Sequence, residues 1–545
     1  MALYTWKIIA RPDHKNKNWI ALILAKNRGL STQKKLNDFL KPTLNQILEI
    51  KPKNTSKAVE RIQKAFKKKE KIIVYSDYDA DGICGTAILW ETLYDLGADV
   101  LPYVPHRVKE GYGLSNEAIS QLAKKGTKLI ITVDHGVAAI DQIDHAAKLG
   151  IDVVVTDHHV LPQRLPSALA VVHSTDLCGA GVAWRLAFEI IKKLKPSYKN
   201  FLLGKLELAA LATIADLVPL LGANRAIVKL GLEKLSQTKR PGILALIKAA
   251  SLGPKIGTYE IGHILAPRIN AMGRIEHAID SLRLLCAKNQ DQAETLAQLL
   301  SKTNTKRQSL TTKSLASAMN MITEDQVIGV ISHDSWHEGI IGLVASRLVD
   351  SFHKPMIVIS KGEVYSKASA RSIAGFNILE AIQQSSQLIV EAGGHPMAAG
   401  FTIKTSHIQN FSESINQYAK QRLAEELLVP KLSIECELKS EDINRKTLEI
   451  VNQFEPYGMA NPQPLFLTRN MLVEDVRCVG AASDHLKLQL GVISAIGFNL
   501  GQMRIQIRPG YLVDTVYSIS EDRYNGNGAI QLKLKDLSVS NPTNL

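Results

Sequence analysis

The chain has 545 residues, 45% of them hydrophobic and 6% aromatic, with 66 Lys and Arg against 52 Asp and Glu for a net charge of +14. That length exceeds the ~250–300 residues at which a single core stops growing, so a one-domain protein is excluded. The basic excess suits a polyanionic partner without requiring one.

No apolar run approaches the ~18 residues of a membrane span, and the start, Met1 to Lys7, lacks the apolar core of a signal peptide. The five cysteines, at 84, 178, 286, 436 and 478, make no CxxC pair and read as reduced thiols. A cytoplasmic protein without a membrane partner is expected.

In chain order, residues 1–50 read as a helical lead-in stopped at Leu40-Lys41-Pro42. Val59, Ile62 and Phe66 recur at helical spacing, and Lys67-Lys68-Lys69 suits a solvated helix end favoured by the dipole. From about 71 to 285, strand-like and helical runs alternate, which predicts a parallel sheet covered on both faces. The stretch 291–321 has no Pro or Gly and carries Leu296, Leu300 and Leu310, so it predicts a long helix. A second α/β unit opens at Val327 to Ile331, with a helix from His337-Glu338-Gly339 through Val349 and a strand over Pro355 to Ile359. Beyond about 430 the pattern turns to β: 516–519 and 530–534 alternate with period two, and Asn525-Gly526-Asn527-Gly528 is a hairpin signal.

The acidic residues concentrate at strand ends. Ile72 to Tyr75 leads into Asp77-Tyr78-Asp79-Ala80-Asp81-Gly82. Ile130 to Val133 ends in Asp134-His135-Gly136, and 152–156 ends in Asp157-His158-His159. Asp216 follows the helical stretch Leu206 to Ala215. Carboxylates crowded at a buried strand end repel one another unless a cation neutralises them. Parallel sheets gather ligands beyond the carboxyl ends of their strands, so three ends would deliver these groups to one rim. A divalent metal site follows; the competing reading makes Asp79 or Asp81 a helix N-cap.

DYDADG, VDHG, TDHH and IADLVPL, in that order, resemble the metal motifs of the DHH phosphoesterase superfamily. The segments at 178–183, 268–274, 339–347, 393–400 and 456–462 resemble its RecJ branch, single-strand-specific 5′→3′ DNA exonucleases. The resemblance implies a DHH parallel-sheet domain over 51–288, a linker helix over 289–322 and a smaller α/β DHH-associated domain over 323–429. An OB-type β-barrel over 430–545 would follow the lead-in and these domains, tracking single strands with basic and stacking side chains. Lys487, Arg504, Arg508, Lys533 and Lys535 are candidates for its basic face.

Some positions depart from the superfamily. Tyr75 stands where other branches carry a metal-binding His, and Ser76 where Gly is expected. His135 replaces a frequent Asn or Cys, as either a support behind the metal ligands or a surface side chain.

The resemblance implies two divalent ions, Mn²⁺ or Mg²⁺, with Asp77, Asp79, Asp81, Asp134, His158 and Asp216 as the ligand pool. His159 would position the scissile phosphate or protonate the leaving oxygen, and Asp157 would orient it. Arg107, Arg268, Asn270, Arg274, Ser369 and Arg371 would bind substrate and its 5′-phosphate, with His395 beside the cleft. That cleft is expected to be too narrow for duplex.

The implied activity is degradation of single-stranded DNA to mononucleotides in recombination and repair, by a monomer. Single-strand-binding protein and a helicase are candidate partners. Two alternatives remain: a phosphodiesterase acting on short oligoribonucleotides or cyclic dinucleotides, and a non-catalytic replication scaffold.

Overall fold

The computed structural model describes residues 3–16, 18–323, 326–522 and 528–540. Within these, residues 37–308 and 456–462 form one compact unit, and the remainder forms another. Residues 1–50, expected as a helical lead-in, also hold a strand, β1 (Thr5–Ile8), besides three short helices.

The unit built on 37–308 centres on five strands: β2 (Lys71–Ser76), β3 (Val100–Tyr103), β4 (Thr127–Val133), β5 (Asp152–Asp157) and β6 (Ala170–His173). They run β3-β2-β4-β5-β6, and every pair is parallel. The register aligns Val74, Ile131, Val154 and Ala170 in one row. That row belongs to a large core with residues of α1 (Thr55–Lys68), α2 (Ala80–Asp95), α5 (Gly179–Leu194) and α6 (Leu206–Ala215). The next residues along, Tyr75 and Val155, enter a second core with Ile119 and Leu122 of α3 (Asn116–Lys124) and Ile143 of α4 (Ile140–Lys148).

Alternate strand residues therefore fill opposite cores, which is why the runs read as continuously apolar. Helix α6 is buried all round except at its last residue, as its largely apolar sequence requires. The chain goes from β2 outward to β3 and then crosses to β4, so the order reverses between β2 and β4. Doubly wound sheets bind ligands beyond the strand ends at that reversal. Helix α7 (Ala266–Ile275) follows, then α8 (Gln290–Met319), the long helix expected over 291–321.

In the other unit, β7 (Gly329–His333), β8 (Met356–Ser360), β9 (Tyr365–Arg371), β10 (Ile389–His395) and β11 (Ala398–Lys404) form a mixed sheet, β10-β11-β9-β8-β7. Only β7 and β8 run parallel. Helix α9 (Ile341–Phe352) covers this sheet and begins later than the expected His337. The His337 ring accepts the Gly339 amide at 3.0 Å, and that local bond favours a turn over a first helical turn.

Strand β12 (Lys431–Ile434) pairs in parallel with β1, and β13 (Cys436–Glu437) pairs with the barrel that follows. The barrel strands are β14 (Phe466–Val479), β15 (His485–Leu490), β16 (Ile493–Gly497), β17 (Leu512–Glu521) and β18 (Ile530–Val539). They run β14-β15-β16-β18-β17 and return to β14, which closes the sheet into a five-stranded OB-type barrel. Bulges at 468–471 and 473–475 let the 14-residue β14 bend and pair on both sides. Residues 525–527 of the expected hairpin turn lie outside the described residues.

One buried carboxylate ties the N-terminal strand to this barrel. Asp536, fully buried on β18, accepts the Leu3 and Tyr4 amides at 3.0 and 3.1 Å and the Trp6 indole N–H at 2.7 Å. Asp536→Ala strands these donors and should lower stability by about 2–4 kcal/mol. Urea unfolding, with hydrogen exchange of residues 3–6, measures it; unchanged stability and exchange would rule out the clasp.

Candidate metal centre

The carboxyl ends of β2, β4 and β5 set the rim. Asp77 follows β2 directly, and its amide donates to the Val133 carbonyl at 3.1 Å, tying the two strand ends together. Asp79 caps α2: its Oδ1 accepts the Asp81 and Gly82 amides at 2.9 and 3.0 Å. The cap and the metal reading are compatible for Asp79, because a carboxylate has further lone pairs. Asp81 is not a cap; it points from the first turn of α2 to the N-terminus of α5. Its two oxygens accept the Gly179 and Ala180 amides, each at 2.7 Å. A helix N-terminus favours negative charge there.

Asp134 sits at φ +68°, a conformation that a non-glycine residue rarely adopts. Two hydroxyl bonds brace the turn: Thr132 Oγ1 donates to the His135 carbonyl and Thr156 Oγ1 to the Thr132 carbonyl, both at 2.6 Å. His135 is 1% exposed, which excludes the surface alternative. Its Nε2 lies 3.1 Å from the Tyr75 carbonyl, so the ring bridges the ends of β2 and β4. Burial lowers its pKa to about 4, leaving it neutral. Tyr75 itself is fully buried in the second core.

His158 Nε2 lies 3.1 Å from Asp134 Oδ1, 3.6 Å from Asp216 Oδ2 and 3.9 Å from Asp81 Oδ2. Among the described residues, three groups could hold a metal, with ligand atoms all within 4.8 Å of one another: Asp77, Asp79 and Asp134; Asp81, His158 and Asp216; and Asp134, His158 and His159. Asp157 works differently. Its Oδ1 lies 2.7 Å from His159 Nδ1 and also accepts the His158 and His159 amides. Its Oδ2 accepts the Val137 amide at 3.0 Å, so both oxygens are used in orientation.

Electrostatics fit a cation. Burial, then repulsion from Asp79, pushes Asp77 well above the usual carboxylate range. Asp134 is raised well above it by burial and by Asp81, Asp79 and Asp77. Burial, then Asp79, pushes Asp81 up to about 7, and burial with Asp81, Asp79 and Asp77 pushes Asp216 up to about 9. Asp134 Oδ1 is buried yet accepts no hydrogen bond. A cation supplies the missing partner for that oxygen and offsets the repulsion. By contrast, burial alone would raise Asp157, but His159 and the backbone amides hold it down at about 2. Its charge in turn raises the pKa of His159 against burial.

Close packing leaves the site no room for side chains at two glycines. A Cβ on Gly179 would lie 2.4 Å from Asp134 Oδ1, and one on Gly82 would lie 2.6 Å from the Asp77 Cβ. Helix α7 approaches as tightly. Asn270 Oδ1, expected to bind substrate, accepts the Ala80 amide at 2.6 Å and so holds the acidic loop.

The other expected phosphate ligands are placed unequally. The Arg107 guanidinium lies 5.0 Å from the Tyr78 ring centroid, beside the rim, and Arg274 is close enough to oppose the rise in the Tyr78 phenol's pKa that burial causes. Arg268 donates to the Ile264 carbonyl at 2.7 Å and to Ser301 Oγ at 3.3 Å, bonds that brace its own helix and α8. Ser369, Arg371 and His395 belong to the other unit. There Arg371 Nη1 donates to Ser369 Oγ at 3.1 Å, and a Cβ on Gly342 would crowd both side chains. His395 closes β10, opposite Ala398.

Sequence reasoning missed Tyr112, whose phenol donates to the Asp134 carbonyl at 3.4 Å and whose ring meets Tyr78 edge-on. The signal was present in Gly111-Tyr112-Gly113: both glycines take positive φ, which lifts the tyrosine over the rim.

Comparisons with known proteins place this geometry. The DHH family N-terminal domain matches residues 71–215, the DHHA1 domain 312–421 and the RecJ OB domain 434–536. The chain is similar to the single-stranded-DNA-specific exonuclease RecJ of Haemophilus influenzae, 32% identical over 93% of this chain and 94% of that one. The chain belongs to the RecJ family. It is 38% identical to RecJ of Bacillus subtilis over 90% of its own length, and spans 64% of that relative. The structure of Thermus thermophilus RecJ in complex with Mn²⁺ superposes with a TM-score of 0.86 at 28% identity, covering 98% of this chain and 79% of that one. The same protein in complex with Mg²⁺ gives 0.80.

The raised carboxylates make metal binding a proton-linked event. In the metal-free fold they hold protons that the unfolded chain, titrating near 3.8, gives up. Their contribution to stability is thus present below pH 4 and lost as pH rises through about 7 and 9. Mn²⁺ should release protons on binding at pH 7 and raise Tm more at pH 8.5 than at pH 6. Calorimetry in buffers of different ionisation enthalpy, with thermal melts, tests this; no proton release would contradict the raised pKa values.

Proposed function

We propose that this RecJ-family protein is a metal-dependent 5′→3′ exonuclease that degrades single-stranded DNA to mononucleotides, serving recombination and repair in the cytoplasm. The observation that carries the reading is the convergence on His158 of three acidic segments, at Asp81, Asp134 and Asp216. Asp77, Asp79 and Asp134 would hold one divalent ion, and Asp81, His158 and Asp216 a second; Mn²⁺ and Mg²⁺ both suit these donors. Bound there, the ions supply charge neutralisation to an anionic phosphodiester and acidity to an attacking water.

The chain's own groups do the rest. Asp157 fixes the His159 imidazole through Nδ1, and Nε2 would donate to a phosphate oxygen or to the departing sugar oxygen. Arg107 and Arg274 lie beside Tyr78, where a strand's backbone charge would be held. In the DHHA1 unit, Arg371 with Ser369 presents a guanidinium fork suited to a terminal phosphate. The closed OB-type barrel favours long single strands over the short oligoribonucleotides or cyclic dinucleotides of the alternative activity. The retained acidic set argues against a non-catalytic scaffold. Single-strand-binding protein and a helicase are the proposed suppliers of unwound strand, and the working form is taken as a monomer.

The test uses end-labelled single strands of both polarities with Mn²⁺. Wild-type protein should release mononucleotides from the 5′ end, and Asp134→Ala should bind strands but not cut them. Arg371→Ala should reduce cleavage of 5′-phosphorylated ends about 10–100-fold, the worth of one charge-assisted phosphate contact, and of 5′-hydroxyl ends less. Release from 3′ ends, or equal losses on both kinds of 5′ end, would overturn polarity and anchor respectively.

A further inference from the structure

A second concave site lies within the sheet unit, at the far end of α2. Asp81 in the first turn of that helix serves the metal rim, while Glu91, Tyr94 and Asp95 in its last turns line a pocket of about 920 Å³. Fourteen residues separate Asp81 from Asp95, which is roughly 21 Å along the helix. The pocket is therefore remote from the metal centre.

Its floor is a buried charge network. Arg240 donates to Glu91 at 2.7 Å, to Glu207 at 3.0 Å and to the Leu285 carbonyl at 2.6 Å. Lys205, 2% exposed, pairs with Glu91, and its ammonium lies 4.3 Å from the Phe201 ring centroid. Two cations thus meet two carboxylates, and the floor is neutral.

The walls combine aromatic rings with positive charge. Trp90 and Tyr94 stand on one side with ring centroids 5.5 Å apart; Tyr198 and Phe201 stand on another, 5.9 Å apart. Tyr94 is 52% and Phe201 40% exposed, an unusual state for rings gathered in one concavity. Lys234, Lys239 and Lys288 also line the pocket, and outside the floor Asp95 is the acidic lining residue that opposes them. Lys288 already sits 5.6 Å from the Tyr94 ring centroid. Exposed aromatic faces beside an excess of ammonium groups complement a ligand that is planar at one end and anionic at the other. The volume is at the upper end of the roughly 300–1,000 Å³ typical of small-molecule sites.

We propose that this pocket binds a free nucleotide, with its base against Trp90, Tyr94 or Phe201 and its phosphates on Lys234, Lys239 and Lys288. It is a site separate from the metal centre, and it does not depend on the exonuclease reading.

The test titrates the full-length protein with ADP in EDTA, following binding by equilibrium dialysis and by quenching of Trp90 fluorescence. Saturable binding is expected. The double variant Tyr94→Ala, Lys239→Glu should weaken it about tenfold or more, on the scale of one stacking contact plus one charge. Asp134→Ala should leave it intact, and the double variant should keep wild-type cleavage of single strands. Folding of the double variant is checked by its melting temperature, with Tyr94→Phe expected to retain binding. The proposal is overturned if ADP does not saturate by millimolar concentration or if Asp134→Ala abolishes binding. It is equally overturned if the double variant binds normally, or if only an oligonucleotide or an acidic peptide competes for the pocket.

Discussion

Mutual repulsion among buried carboxylates is the constraint on which the catalytic unit depends. Asp77, Asp81 and Asp134 are each no more than 4% exposed, and Asp216 leans over the same space. Ionised together without a counter-charge, they would cost the fold several kcal/mol each. The surroundings meet that cost in two ways. Backbone amides at the N-terminus of α5 solvate Asp81, and the cap of α2 solvates Asp79. The Asp134 oxygen beside His158, which accepts no hydrogen bond, is left for a cation. The arrangement is therefore strained when empty of charge and relaxed when filled, a common property of sites built for metals.

The tight packing around the rim follows from the same need. Carboxylates can converge only if the helices behind them come close, so Gly179 and Gly82 replace side chains with contact. Asn270 pins the acidic loop from α7, and His135 pins the turn of Asp134 to β2. The reversal of strand order between β2 and β4 supplies the crevice that all of this lines. Few substitutions in that shell can be neutral, because each neighbour fixes a ligand's direction.

Much of this was legible in the sequence because of how parallel sheets work. Strands buried on both faces read as continuous apolar runs, and their carboxyl ends are where polar groups accumulate. The runs ending at Asp77, Asp134 and Asp157 therefore marked both the sheet and the site. The helical stretch 206–215 placed Asp216 at its end. Contacts between residues far apart in the chain were not legible. The bond from the Ala80 amide to Asn270, 190 residues on, is one of them. The parallel pairing of Thr5–Ile8 with Lys431–Ile434 spans most of the chain and leaves no local trace. The late start of α9 reflects one imidazole–amide bond that periodicity cannot reveal.

Anomalous diffraction from Mn²⁺-soaked crystals, collected at the manganese edge, tests the central claim most directly. The account predicts strong peaks between Asp77, Asp79, Asp134, His158 and Asp216, with a peak lost in Asp134→Ala. A rim without anomalous density, while ions bind elsewhere on the chain, would contradict it.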